Sequence, residues 1–414
     1  MKRKIMMIRF KDKKPEFKEA RKIDLSELPP FIGECDFNDN VQCIIQARDG
    51  KFLVGGDFTE FNGREVGCFI CLEPDGTINE EFMRNIGTGF GNWVGFILQT
   101  QNNGFIIGGG FRQFNGRRVN RIVCLNVDGT VNEKFMDNVG KGFDFSTSCI
   151  IQTEGNKHVI VGEFTLFNRR IVNRIICLNS DGTINEEFME SISDGFNGGV
   201  NCIIKIKDNK YVIVGNFTRF NGRIVNRIVC LNYNWTISEE FLRNTGDGFH
   251  DEIHCITQAQ DGKLLIGGNF DIFNDIDVDH LVCLNANGTI SDVFMRNIGS
   301  GFDDEVYSIS QLKSGKFIIG GNFSVFNGGV ANHITCLHPN GTINEKFIRN
   351  IGLGLDGAVM CVAQIQDDEL LVCGHFTEFN NESLSYFARL NLNGTIASEF
   401  KRSLGSSFDD DIPF

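Results

Sequence analysis

Fourteen cysteines and seven histidines are the side chains of this 414-residue sequence best suited to bind metals or attack substrates. Their spacing points away from both chemistries. Cys43, Cys149, Cys202, Cys255 and Cys361 stand 53 residues, or a multiple of 53, apart, and so do Cys71, Cys124, Cys177, Cys230, Cys283 and Cys336. Eleven thiols are therefore copies of two positions, whereas a zinc site gathers unlike ligands in paired C-x-x-C or H-x₃₋₅-H spacings. Cys68 and Cys71 form a C-x-x-C without a second pair, and only His280 and His333 share a spacing. The acidic residues Asp39, Asp144, Asp303, Asp304, Asp356 and Asp409 are likewise spread along the chain, too thinly for the six to eight oxygens that Ca²⁺ requires. No zinc-protease helix motif, nucleophile elbow or dinucleotide fingerprint occurs. The sequence assigns no catalytic residue, no metal ligand and no cofactor. Cys35, Cys68 and Cys373 stand off the two repeated positions and are the thiols to watch for reactivity.

The 53-residue interval belongs to the whole chain. The segment Gly55–Gly63, GGDFTEFNG, returns six times, with its first Phe at Phe58, Phe111, Phe164, Phe217, Phe270, Phe323 and Phe376. Seven units run from about 34 to 404, at 34–86, 87–139, 140–192, 193–245, 246–298, 299–351 and 352–404, between an arm, 1–33, and a tail, 405–414. Within unit one, the apolar run Val41–Ala47 ends at the hairpin signal Asp49-Gly50. The unbroken Phe52-Leu53-Val54 reads as a strand covered on both faces. A loop through Asn62-Gly63 leads to a third strand, Cys68–Leu72, and Asp75-Gly76-Thr77 turns into a short outer strand ending near Phe82.

Four strands in about 50 residues fit a propeller blade. An open solenoid needs altered end repeats, yet Phe58, Phe61, Leu72 and Phe82 reappear in the last unit as Phe376, Phe379, Leu390 and Phe400. The expected fold is all-β, a closed seven-bladed β-propeller with four short antiparallel strands per blade. The arm is expected to add two strands, Lys4–Lys11 and Phe17–Asp24. Ser407-Phe408-Asp409-Asp410 begins an eighth copy of the unit, which reads as a ring latch. The two cysteine positions fall on the first and third strands, kept apart by the strand between them at about 4.8 Å spacing, beyond disulfide reach. They are expected to be apolar filler in a reducing, cytoplasmic setting. The glycine before each repeated Phe (Gly56, Gly109 and so on) is expected where a backbone approaches closely or φ is positive, and the repeated Asn62 position where side chains bond to turn backbone.

The unit DGKFLVGGDFTEFNG…CLEPDGTINEEF resembles the delta-60 repeat of the DUF5122-type β-propeller family, with its DGK, apolar triplet, GG, Phe, NG loop and closing DG…F. The resemblance covers all seven units and implies a propeller; it carries over no active site. The arginine of the family's RLN motif survives only at Arg389 and is cysteine in the other six units.

Charge narrows the function. The net charge of −13 is the wrong sign for a nucleic-acid surface, and no apolar run is long enough for a membrane helix. Positions held in every unit are scaffold, so function is sought where units differ, in the loops. The loops after FNG in units two to four carry Arg117, Arg118, Arg121, Arg170, Arg174, Arg223 and Arg227, with Arg169 and Arg219, while unit five carries Asp271, Asp275, Asp277 and Asp279. Those seven arginines are the candidate binding surface for an acidic protein partner docking on blades two to four. The reading is a non-enzymatic, monomeric interaction platform. Its alternatives are a structural component of a larger assembly such as a virus particle, and a small-molecule or sugar binder at the central channel.

Overall fold

The computed structural model describes residues 36–365, 369–384 and 386–397. The expected arm strands and the tail latch lie outside the described residues.

The protein is a β-propeller of seven repeated blades. In the first, β1 (Val41–Gln46) pairs antiparallel with β2 (Phe52–Gly56), and β2 pairs with a third, outer strand. Between them, β3 (Glu60–Phe61) and β4 (Arg64–Glu65) form a small hairpin, and β5 (Phe69–Leu72) is that outer strand. The order β1-β2-β5 recurs in all seven units. The fourth strand is reduced to one residue, Ile78 bridged to Leu72, with equivalents through Ile396 and Leu390.

The outer segment corrects the expectation of a strand ending near Phe82. It is a helix, α1 (Glu80–Ile86), whose first turn is capped by Asn79 accepting from the Phe82 N–H at 2.8 Å. Gly87, at φ +65°, ends it by donating to the Met83 carbonyl. Glu80 and Glu81 complement the dipole at its start. The helix buries Phe82, Met83 and Ile86 and covers the edge of β5, where the Met83 sulfur accepts from the Cys71 N–H at 3.3 Å. An edge left open would invite pairing with another chain. Two turns of helix are too short for a helical period to emerge from the sequence.

Burial matches the sequence pattern. β2 and β5 are buried at every residue. Between β1 and the hairpin, Phe37, Phe58 and Phe61 pack with centroids 4.6 and 4.8 Å apart; Phe90, Phe111 and Phe114 repeat this at the same separations. A Cβ on Gly56 would stand 2.1 Å from the Asn40 carbonyl oxygen, and on Gly268 2.3 Å from that of Glu252. Close backbone approach therefore accounts for this repeated glycine. The repeated asparagine adopts positive φ (Asn62, +51°), and its side chain accepts from the Asp36 N–H at 2.8 Å. It ties the hairpin to the segment entering the blade rather than closing its own turn.

Consecutive blades are joined at three radii. On the inside, the Cys43 thiol reaches the Val94 carbonyl at 3.8 Å and Cys149 that of Ile203 at 3.7 Å. On one face, Arg121, Arg174 and Arg227 donate to the carbonyls of Phe143, Phe196 and Phe249 at 2.7–2.8 Å. On the outside, Asn85 in the last turn of α1 donates to the Asp128 carbonyl at 2.8 Å, and Asn350 to Asn393 at 2.9 Å. The last blade also meets the first. β1 lies against the strands Val359–Gln364 and Glu369–Gly374, and Phe37 stands 6.1 Å from Phe387, as Phe90 stands 5.6 Å from Phe69.

Candidate functional site

The seven arginines singled out from the sequence divide by partner. Arg117 and Arg170 pair with Glu133 and Glu186 at 2.6 and 2.7 Å, and Arg223 pairs with Glu239; in each case the glutamate opens the blade's own helix. Arg118 donates to the Asn120 side chain at 3.1 Å. Arg121 is buried and Arg174 and Arg227 are half-buried, each spent on the next blade's carbonyl. The same position is His280 and His333 in units five and six. This position is a seam device, and sequence reasoning could not separate it from a solvated rim.

The surface that does depart from the repeat lies on the same face, between blades two and three. In five units the residue directly after the repeated Phe37, at the position of Asn38, carries a side chain that brackets the hairpin. Asp144 illustrates it, accepting from the Thr165 and Leu166 N–H groups at 2.9 and 2.8 Å and from the Thr165 hydroxyl at 2.7 Å. Although burial acts to raise it, those bonds hold the Asp144 carboxyl below its ordinary range. Unit two abandons the bracket: Gly91 replaces the acceptor and Arg112 replaces the hydroxyl residue found as Thr59, Thr165, Thr218, Ser324 and Thr377.

Unit two also carries Trp93 where the other units have Asn40, Ser146, Gly199, Glu252, Glu305 and Ala358. Its indole is half-buried and lies across two glycines. A Cβ on Gly95 would come within 2.4 Å of the ring, and one on Gly110 within 2.3 Å. No other unit has glycine at either position; there stand Gln42, Ser148, Asn201, His254, Tyr307 and Met360, and Asp57, Glu163, Asn216, Asn269, Asn322 and His375. Unit three adds Phe145, 53% exposed, with the Arg121 guanidinium 5.9 Å from its ring centre. Trp93, Arg112, Arg121, Phe145 and Glu163 line a cleft of about 740 Å³, with Asn92, Gln113 and Ser146 supplying further polar groups. Burial, and then the neighbouring Arg112, lower the Arg121 guanidinium. Sequence reasoning missed Trp93, Gly95, Gly110, Arg112 and Phe145. Their signal was legible: each breaks its repeat position, and four of them fall in one unit.

On the opposite face, a smaller cavity of about 180 Å³ between the same blades is lined by His158, Gln152, Asn156, Asn126 and Ser180. His158 is 2% exposed, with its ring beside the Asn179 backbone. The thirteen described cysteines are all free and buried. Burial pushes Cys71, Cys124 and Cys177 up to about 12. The strand separating the two positions is β2, but position-equivalent thiols meet across a seam, with Cys149 and Cys202 Sγ 3.7 Å apart. Among the described residues no three His, Cys, Asp or Glu side chains group to hold a metal ion, and no helix is long and apolar enough to cross a membrane.

With this geometry in place, comparison with known proteins decides the family. A domain of unknown function described as the DUF5122 beta-propeller matches seven times, at 47–82, 101–135, 156–188, 207–238, 259–290, 312–347 and 365–400. The chain belongs to this family. The DUF5122 matches fall one to each 53-residue unit, from the end of β1 into the helix in unit one. Similar solved structures include the WD40 beta-propeller domain of Doa1, at 12% identity and TM-score 0.52 over 87% of this chain and 97% of that one. The extracellular domain of the putative one component system BT4673 from B. thetaiotaomicron matches at 10% identity and TM-score 0.50, over 90% of this chain and 46% of that one. A streptogramin B lyase structure follows at 15% identity and TM-score 0.47, over 88% and 97%. At these identities the likeness is one of fold. No curated protein matches the chain.

Proposed function

We propose that this DUF5122 propeller is a non-enzymatic binding platform whose working surface is the cleft of blades two and three. The observation that carries the reading is the clustering of departures. Gly91, Trp93, Gly95, Gly110 and Arg112 break the repeat in one unit, and Phe145 joins them from the next. Unit two thereby gives up the hairpin bracket that Asp144, Asp303 and Asp356 make in their blades, an exchange expected where local stability is traded for a site. The cleft contains the polar and aromatic groups of a recognition surface.

Closure of the seven blades into a ring supports a rigid platform, and we infer it from the Phe37–Phe387 contact and from the bond of the Cys361 thiol to the Ile44 backbone. The first repeats the Phe69–Phe90 contact between blades one and two, and the second repeats the contact of Cys149 with the Ile203 carbonyl between blades three and four. A photo-crosslinking amino acid placed at Gln113, in the cleft, is expected to yield discrete adducts in cells, whereas the same group at Asp75, on the opposite face, yields none. Equal labelling from both positions, or none from Gln113, would remove the cleft as the working surface.

A further inference from the structure

The cleft's chemistry narrows its occupant, on the reading just given. We infer that it binds an acidic peptide segment of a partner protein, one that carries a large apolar side chain beside its carboxylates. Three observations converge. First, the aromatic lining is built to be open. Trp93 rests one face on Gly95 and Gly110, whose missing side chains leave room for the indole to lie flat, and Phe145 is 53% exposed across the cleft. Half-exposed aromatic rings held by backbone on one side present apolar area at little conformational cost.

Second, the charge of the cleft differs from that of units one, five and six on the same face. Arg112 and Arg121 line it with the carboxylate Glu163; Arg121 is buried against the Phe143 carbonyl with Asp144 near it, so the exposed Arg112 is the cation that faces a ligand. Elsewhere on this face stand Asp39 and Asp57 of unit one, Asp251, Glu252, Asp271 and Asp279 of unit five, and Asp303, Asp304 and Glu305 of unit six. A negatively charged segment is repelled from those sectors and steered to the arginines. Third, Asn92 and Gln113 offer amide groups in reach of a main chain, and about 740 Å³ is the size of a cleft that encloses a few side chains rather than a single ion.

The test uses the full chain. A random heptapeptide library displayed on phage is panned against it, and an enriched peptide is synthesised. Its binding is followed by Trp93 fluorescence in a Trp235→Phe background. The expected enrichment is Asp or Glu next to Phe, Tyr, Trp or Leu, with affinity falling as salt rises. Arg112→Glu and Phe145→Ser should each weaken binding by about tenfold or more, with unchanged thermal melts because both side chains are exposed. Arg170→Glu, on a residue paired within its own blade, should leave binding unchanged. Enrichment without acidic residues, or binding indifferent to Arg112→Glu, would overturn the inference. So would oligogalacturonate binding through Trp93 while no peptide binds. If crosslinks from Gln113 persist while acidic peptides fail, this inference falls and the platform reading stands; if both are absent, both fall.

Discussion

Replacing His158 with Phe should make the protein more resistant to mild acid, and the size of the effect can be worked from the site. His158 opens the second strand of blade three, where the other units place Phe52, Phe105, Tyr211, Leu264, Phe317 and Leu370. It is an imidazole in an aromatic or aliphatic slot, and desolvation lowers it from 6.5 to about 4, the backbone of Asn179 offsetting only part of the shift. Unfolded, the ring takes up a proton as pH falls through 6.5; folded, it stays neutral until about 4. The unfolded state therefore binds more protons across that window, and stability present above it is lost as pH falls. At pH 5 the loss from this one side chain is about 2 kcal/mol relative to pH 7. Urea denaturation at pH 7 and pH 5, on the native protein and His158→Phe, isolates it, because packing differences are common to both pH values and cancel. The native protein should lose about 2 kcal/mol more than the variant between the two conditions. Equal losses would mean that His158 is solvated or protonated in the fold, and the reasoning would fail.

Three further outcomes follow from the packing. Gly268→Ala should lower stability by about 3 kcal/mol or more, since its Cβ would meet a backbone oxygen that cannot move alone, while Gly63→Ala, open on all sides at φ +73°, should cost only about 1 kcal/mol; paired thermal melts compare them. Arg121→Met should destabilise by about 1–3 kcal/mol by orphaning the Phe143 carbonyl, whereas Arg117→Ala, which breaks an exposed pair, should leave the melt unchanged. The thirteen described thiols should resist iodoacetamide at pH 8 in the folded protein and react on unfolding, read by mass spectrometry, because all are buried and out of reach of the reagent.

The architecture was legible because the period repeats without insertion, so Phe58 and its six copies fix seven units before any strand is assigned. Strand positions followed from continuous apolar runs, and β1, β2 and β5 lie where those runs are. The helix was not legible from periodicity, although Asn79 followed by two glutamates and closed by Gly87 is a cap-to-cap signature. The environments of the candidate arginines were not legible for a different reason. Arg121 and Arg117 are alike in sequence, but one crosses a seam to a carbonyl and the other pairs with a helix start, a distinction that depends on which blade lies alongside. Trp93 and its glycines were hidden by attention to what recurs rather than to what deviates.

The three joints between neighbouring blades share a direction. At each one, Cys43, Arg121 and Asn85 supply the donor and the blade that follows in the chain supplies the oxygen. A subunit of this kind has a front and a back that are not interchangeable. Exchanging one unit for another should be tolerated wherever the newcomer offers the same donors ahead and the same carbonyls behind, whereas no two units could be joined back to back. Growth of such an array by tandem copying preserves that handed order automatically.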